Sequence, residues 1–244
     1  MTRSAGMHPD QRKKIYRDQA DAYHRLILRE DWQGNLPRAL RSLADWSGKA
    51  VLDLGTGTGR LPLLLRETAR AVFGCDAAVP MLRVAQAAVS EAHFAAADHG
   101  ALPFAAASVD CLTAGWSVCH AVKWQWARRA AVLAGIIGEA RRVLRPGGTL
   151  VIIETLGTGL AEPQPPDDKL AEYYRMLEEE HGCRRTVVRT DYRFADGAEA
   201  DELLGMFFGA ERTAAMYAAG TAVARDGAVF VTEWTGLWLV PGNA

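Results

Sequence analysis

Asp53, Gly55, Gly57, Gly59 and Asp76 are the residues whose types and spacing first point to chemistry. Residues 51–59 read Val-Leu-Asp-Leu-Gly-Thr-Gly-Thr-Gly: a short apolar run closes on an acid, and glycine follows at every second position. This predicts a buried strand turning sharply into a helix, with backbone brought close to a ligand. Each glycine removes a Cβ that would block either the turn or the ligand. Asp53 is placed to organise the turn or to meet a cationic ligand group. Asp76 closes the next predicted strand, where a carboxylate can accept hydrogen bonds from ribose hydroxyls. The two elements together argue for a nucleoside cofactor. The third glycine comes one residue earlier than in the G-x-G-x-x-G dinucleotide fingerprint, which argues against a nicotinamide-dependent dehydrogenase.

His120 is the one neutral-pH acid–base candidate at a sensible position after the fourth predicted strand. It could act as general base, orient a substrate, or be a structural histidine bonded to backbone. Trp116, four residues earlier, could line the same pocket or belong to the core. Tyr16 and Tyr23 are seven apart and share a helix face. Their hydroxyls could meet cofactor or substrate as part of a lid, or the helix could simply pack two aromatics. Asp98 could be a ligand contact or an Asx-turn residue before Pro103. Asp167-Asp168 resembles a metal pair only superficially, because acids at a proline-rich helix entry are expected as caps. No His, Cys or carboxylate group has convincing metal spacing, so no metal is expected.

Alternating strands and helices must hold these residues. Residues 8–29 and 36–46 are predicted helical. Strand 50–54 leads into helix 59–69, where Pro62 falls in the tolerated first turn. Strand 71–76 leads into helix 80–89, and strands 92–97 and 109–114 follow. Apolar residues at three- and four-residue spacing predict a helix over 126–144, ended by Arg145-Pro146-Gly147-Gly148 before strand 149–154. The alternation implies a doubly wound, mostly parallel α/β sheet. Beyond it the pattern loosens: a helix over 169–180, a strand over 185–194, two short helices over 199–208 and 212–219, and a last strand over 228–240. Consecutive strands there suggest an antiparallel edge. Residues 1–46 are expected to form an N-terminal helical lid, and residues 47–244 the remainder of one compact domain.

The chain has 244 residues, enough for a sizeable core. With 28 Lys and Arg against 29 Asp and Glu, it lacks the electrostatic footprint of a nucleic-acid binder. Arg12-Lys13-Lys14 reads as a solvated helix face. Cys75, Cys111, Cys119 and Cys183 form no C-x-x-C pair and read as buried thiols of a reducing compartment. No secretory signal or membrane-length apolar run is visible, so a cytoplasmic protein is expected.

The segments in order resemble the class I methyltransferases that use S-adenosylmethionine (SAM). Asp-Leu-Gly-Thr-Gly-Thr-Gly resembles the family's acid–x–G–x–G–x–G motif, and Asp76-Ala77-Ala78-Val79-Pro80-Met81-Leu82 its acid–x–S–x–x–M–L segment, with Ala78 in place of the serine. Ala97-Asp98-His99-Gly100-Ala101-Leu102-Pro103-Phe104 resembles G-D-A-x-x-L-P-F. Val109 through His120 resembles the fourth strand and a loop ending V-L-H-H, here with one histidine. Arg142 through Leu150 resembles the helix and turn before strand five. Residues 50–155 carry this likeness, and the C-terminal part only softly resembles bacterial small-molecule members. The resemblance implies seven strands with the last antiparallel, a Rossmann-like fold. It also implies SAM as cofactor, bound by Tyr23, Asp53, Gly55, Thr56, Gly57, Gly59, Asp76, Ala77, Met81, Asp98, His99 and Gly115. There Asp98 approaches the adenine amine and His99 lends a backbone N–H. Tyr16, Trp116 and His120 fall on the acceptor side.

The expected function is therefore methyl transfer to a small-molecule acceptor by in-line displacement, with aromatics at Tyr16, Tyr23, Trp116, Tyr192, Phe207 and Phe208 suiting an apolar or aromatic acceptor. Alternatives are an RNA or protein methyltransferase on the same fold and a nonenzymatic SAM-binding module. The sequence identifies neither the acceptor, the methylated atom nor the oligomeric state.

Overall fold

In the computed structural model, which describes residues 9–242, three helices lead into the sheet: α1 (Pro9–Asp18), α2 (Ala20–Ile27) and α3 (Asn35–Leu43). The alternating part is β1 (Ala50–Leu54), α4 (Arg60–Leu65), β2 (Ala71–Asp76), α5 (Val79–Ala88), β3 (His93–Ala96), β4 (Val109–Gly115), α6 (Val118–Trp124), α7 (Arg129–Val143) and β5 (Leu144–Thr158). After it come α8 (Asp168–Arg175), β6 (Arg184–Arg189), β7 (Tyr192–Phe194), α9 (Gly197–Phe208), α10 (Ala210–Ala218), β8 (Ala222–Arg225), β9 (Ala228–Val231) and β10 (Glu233–Val240).

Seven strands form one sheet in the order β3-β2-β1-β4-β5-β10-β6. β1 through β5 are parallel, and β10 runs antiparallel to both β5 and β6. Every residue of β1 is buried, as expected of a strand covered on both faces. Alternate residues serve opposite layers. Leu52, Leu54, Leu112 and Ile152 pack against Leu133, Ile137 and Tyr173. Val51, Cys111, Val151 and Ile153 pack against Leu36, Leu40, Trp46 and Leu61 on the other side. All four cysteines are buried.

The expected strand over 185–194 is instead two strands in two sheets, and so is the expected strand over 228–240. β7, β9 and the unanticipated β8 form a separate three-stranded antiparallel sheet. The breaks have local causes. At Asp191 the carboxylate turns back to accept from Arg189 and from the Glu233 amide. At Thr232 the amide and hydroxyl both bond the Thr221 carbonyl, which takes that residue out of the main ladder. The small sheet, α9 and α10 share a core with Leu26 of α2. An N-terminal helix and these late elements thus share one core.

Other boundaries move less. α4 stops at Leu65, because Thr68 and Arg70 turn back to bond Gly48 and Lys49. The expected helix over 169–180 is α8 followed by a π turn at Met176–Glu180. The first expected helix breaks at Gln19 into α1 and α2, its residue 8 lying outside the described residues. Of the basic run at 12–14, only the Lys14 side chain is described, and it is exposed.

Candidate active site

The carboxyl edges of β1, β2 and β4 meet at the glycine turn. Gly55, Gly57 and Gly59 all adopt left-handed backbone, with φ of +68°, +53° and +87°, which side chains with a Cβ resist. The turn is also crowded. A Cβ on Gly55 would stand 2.3 Å from the Ser117 Cβ and 2.9 Å from His99 Nε2, and one on Gly59 3.2 Å from the Ala85 Cβ. One on Gly57 would have room, 3.6 Å from Met81 Cε and 3.9 Å from Tyr23 Cε1. Gly115 sits against Leu61, with a would-be Cβ at 2.8 Å.

Asp76 holds this turn together. One carboxylate oxygen accepts from the Gly57 amide at 2.9 Å, and the other from the Ala78 amide at 2.8 Å. A carboxylate has about four lone-pair sites, so two remain for hydroxyl donors. Asp53 lies behind the turn, 2% exposed, accepting from the Thr113 hydroxyl at 2.7 Å. Burial raises it to about 7. That bond ties the end of β1 to β4. Thr56 is buried and Ala77 exposed beside them, and the Thr56 amide bonds the Cys75 carbonyl. Asp98 is exposed, and its side chain accepts from Gly100 in an Asx turn. His99 turns inward from the same loop: its Nε2 is buried at the Gly55 turn and meets no hydrogen-bond partner. Burial lowers its pKa, against the pull of Asp76 and Asp98.

The N-terminal helices reach the turn directly. His24 Nδ1 and Thr58 Oγ1 share a hydrogen bond of 3.0 Å. Tyr16 and His120 share one of 3.2 Å between the hydroxyl and Nε2. Around them Tyr16 packs edge-on to Tyr23, Tyr23 against Phe207, and His120 stacks on Trp124. The structure thus brings Tyr16, Tyr23, His120 and Phe207 together, although they come from α1, α2, α6 and α9.

Trp116 belongs to a different constellation that the sequence does not announce. Its backbone is left-handed, with φ +49°, and the Arg60 guanidinium lies 4.3 Å from its ring centre. Arg60 Nη1 donates to Glu30 at 2.7 Å in a pair whose side chains are 11% and 5% exposed. The same Glu30 accepts from Tyr192 and Thr190, so Tyr192 serves this cluster. Glu233 lies alongside, 2% exposed. A second buried acid, Glu154, accepts from the Cys119 amide and the Tyr173 hydroxyl behind α6. Burial raises Glu154 to about 7. Arg60 follows Gly59 directly and was there to be read, but Glu30, Thr190, Tyr192 and Glu233 come from distant segments without local spacing. Asp167 caps α8 by accepting from Leu170. Among the described residues no group of three or more His, Cys, Asp or Glu could hold a metal, and no helix is long and apolar enough to cross a membrane.

Residues 52–152, the part that builds the glycine turn and the ends of β1 through β4, match the family described as "Methyltransferase domain". This part of the chain is thus similar to methyltransferase domains. The chain is 36% identical over 145 residues to a demethylmenaquinone methyltransferase of Thermus thermophilus, covering 57% of this chain and 59% of that protein. It is 36% identical over 120 residues to a malonyl-[acyl-carrier protein] O-methyltransferase of Pseudescherichia vulneris, covering 49% and 44%. The chain therefore spans less than two thirds of the length of these relatives. Solved structures extend the likeness of the fold. The YcgJ protein of Bacillus subtilis superposes with a TM-score of 0.55 at 15% identity over 87% of this chain and all of that one. A Haemonchus contortus phosphoethanolamine N-methyltransferase, solved with S-adenosylhomocysteine (SAH), gives 0.58 at 17% identity over 96% and 60%. The matched segment holds the glycine turn at the carboxyl ends of its strands, and α1, α2, α9, α10 and the small sheet lie outside it.

Proposed function

We propose that this chain transfers a methyl group from SAM to a small-molecule acceptor. The observation that carries the reading is the Asp76 carboxylate, fixed by two backbone amides at the mouth of a left-handed glycine turn and retaining capacity for a sugar's hydroxyls. The inward Nε2 of His99, buried without a partner beside Gly55, fits a polar ligand laid along the same edge. In this reading Asp76 takes the ribose and Asp98 with the His99 amide takes the adenine. Gly55, Thr56, Gly57, Gly59 and Gly115 give the backbone surface for the methionine part. Ala77, Met81 and Tyr23 line it, and Asp53 stays behind the turn to hold its shape.

Bound SAM supplies the electrophilic methyl. The chain's own contribution is placement: aligning an acceptor with a bound methyl donor is worth roughly 7–11 kcal/mol, more than the 10²–10⁴-fold (about 3–5 kcal/mol) typical of a general base. The cap of α1, α2, α9, α10 and the small sheet supplies that placement. His24 ties α2 to the turn, and Tyr16 holds the His120 ring. His120 either accepts a proton from the acceptor at Nε2 or orients it. The aromatic walls exclude water. The relatives' names give a demethylated menaquinone and a malonyl group on a carrier as their substrates. That supports a small or carrier-borne organic acceptor here.

Native mass spectrometry of the purified chain, followed by incubation with methyl-labelled SAM and a metabolite extract, tests the reading. Retention of SAM or SAH and label in a small molecule are expected. Label appearing only in protein or RNA would reject the acceptor class, and binding without any label transfer would favour a nonenzymatic module.

A further inference from the structure

Trp116 carries the chain through an unfavourable conformation at the end of β4. Its φ is +49°, a left-handed backbone that a bulky side chain adopts only where its surroundings impose it. Among the described residues, Asp31, Ala107 and Asp226 are the other non-glycines with positive φ, and Trp116 alone of the four carries a large ring. Conformations of this kind gather at ligand clamps and switch positions.

The neighbours on either side show what the conformation achieves. The Trp116 amide donates to the Ile153 carbonyl at 2.6 Å, which keeps the residue on the sheet. Before it, Gly115 sits against Leu61 without room for a Cβ. After it, the chain turns onto the glycine turn: the Ser117 hydroxyl donates to the Leu54 carbonyl at 2.8 Å, and the Ser117 Cβ would stand 2.3 Å from a Cβ on Gly55. Residues 115–117 are thus locked against residues 54 and 55.

The surroundings that impose it are equally specific. Trp116 packs against the layer of Leu36, Leu40 and Leu61. The Arg60 guanidinium lies 4.3 Å from its ring centre, within cation–π range. Arg60 is the first residue of α4, directly after Gly59, so the turn that meets Ser117 also delivers the guanidinium to Trp116. Arg60 is itself fixed. Nη1 donates to Glu30 at 2.7 Å in a buried pair, and Glu30 accepts the Tyr192 and Thr190 hydroxyls at 3.0 and 3.1 Å. Nη2 is buried and closes no hydrogen bond among the described residues, so the guanidinium rests on the ring rather than on a second carboxylate.

We propose that Arg60 is a positioning residue for the cofactor edge: anchored by Glu30, its guanidinium pins Trp116 in the left-handed conformation that sets residues 115–117 against the glycine turn. This rests on the methyltransferase reading, which makes Gly115 and the glycine turn the surface for the methionine part of SAM. It goes further by giving cofactor affinity a dependence on a side chain for which that reading has no cofactor contact. Through Glu30 the dependence reaches Thr190 and Tyr192, outside residues 52–152.

Calorimetric titration of SAH into the full chain and its variants tests the pin. Arg60→Gln is expected to weaken SAH binding at least fivefold. Glycine adopts a left-handed backbone unaided, so Trp116→Gly removes the need for the pin: SAH affinity stays within threefold of the unaltered chain, and adding Arg60→Gln weakens it no more than a further twofold. Trp116→Ala, with a Cβ and no ring, binds SAH at least threefold more weakly than Trp116→Gly. Thermal unfolding checks that each variant is folded at the titration temperature. Arg60→Lys, which keeps a charge against Glu30 but loses the planar guanidinium, gives the same comparison if Arg60→Gln does not fold. Undiminished affinity in the Arg60 variants, or the same loss from them in the unaltered chain and in Trp116→Gly, would overturn the pin; the second result would make Arg60 a stabilising residue only. Absence of SAH binding in the unaltered chain would instead remove the methyltransferase reading itself.

Discussion

The two halves of the site are made differently. The cofactor half is built from backbone: three left-handed glycines, amides that bond Asp76, and a close stack of Gly55 on Ser117. Nearly all of it lies between residues 53 and 117. The Arg60 half is built from side chains delivered by separate elements, with Glu30, Arg60, Thr190 and Tyr192 joined only in the folded chain. Backbone geometry writes itself into sequence as glycine spacing. A side-chain cluster assembled from distant segments does not.

This contrast can be strained by substitution. A large effect is expected in the Arg60 half. Glu30→Ala leaves the Arg60 charge buried without its partner and unhooks Tyr192 and Thr190. Losing one member of a buried pair costs about 3–5 kcal/mol, readable in denaturant unfolding. A loss under 1 kcal/mol would show that the cluster is solvated. In the cofactor half the matching probe is Gly55→Ala, which combines a left-handed backbone with a Cβ inside van der Waals range of Ser117. About 2–6 kcal/mol is expected. Gly34→Ala is its control, with φ +67° but nothing within 4 Å, and about 1 kcal/mol is expected from the backbone alone. Equal losses at the two glycines would mean that the packing of the turn is unimportant.

The sequence shows the cofactor half well. The order of the first five strands, the three-glycine turn, and the positions of Asp76 and Asp98 could all be read from residues 50–155, because each is a local pattern. Asp53 shows the limit of that reading: sequence leaves its partners open, whereas in the fold it is buried and accepts from the Thr113 hydroxyl of β4. The cap was misread for a physical reason. Residues 185–194 and 228–240 have continuous β-forming patterns, and only Asp191 and Thr232, bonding back to other segments, divide them between two sheets. The pairing of Tyr16 with His120 likewise depends on how α1 crosses to α6.

Smaller effects sharpen the contrast. His120→Ala is expected to lower turnover about 10²-fold while leaving SAM affinity unchanged, and unchanged turnover would restrict His120 to packing with Trp124. The buried acids give a pH signature. Burial holds Asp53 and Glu154 at about 7 and Glu233 at about 8, against 3.8 and 4.5 for the ordinary groups. The folded chain keeps protons that the unfolded chain has released, so this stabilisation is complete below about pH 4 and is lost as pH rises through 7 to 8. Unfolding measured from pH 6.5 to 8.5, above the range in which the lowered His24, His99 and His181 act in the opposite sense, will show stability falling, and Asp53→Asn will flatten the slope. A rising stability would contradict the burial of these groups. Least of all is expected from Arg25→Ala. Its exposed pair with Glu202 links α2 to α9, and solvent screens such pairs to a very small contribution.

Titration calorimetry of the purified, ligand-stripped chain with SAM, with NADH as the comparison nucleotide, bears most directly on the central claim. Heat with SAM, little with NADH, and at least a tenfold weaker SAM isotherm for Asp76→Ala are the predicted results. No heat with SAM alongside a clear isotherm for NADH would contradict the assignment of the glycine turn and of everything placed around it.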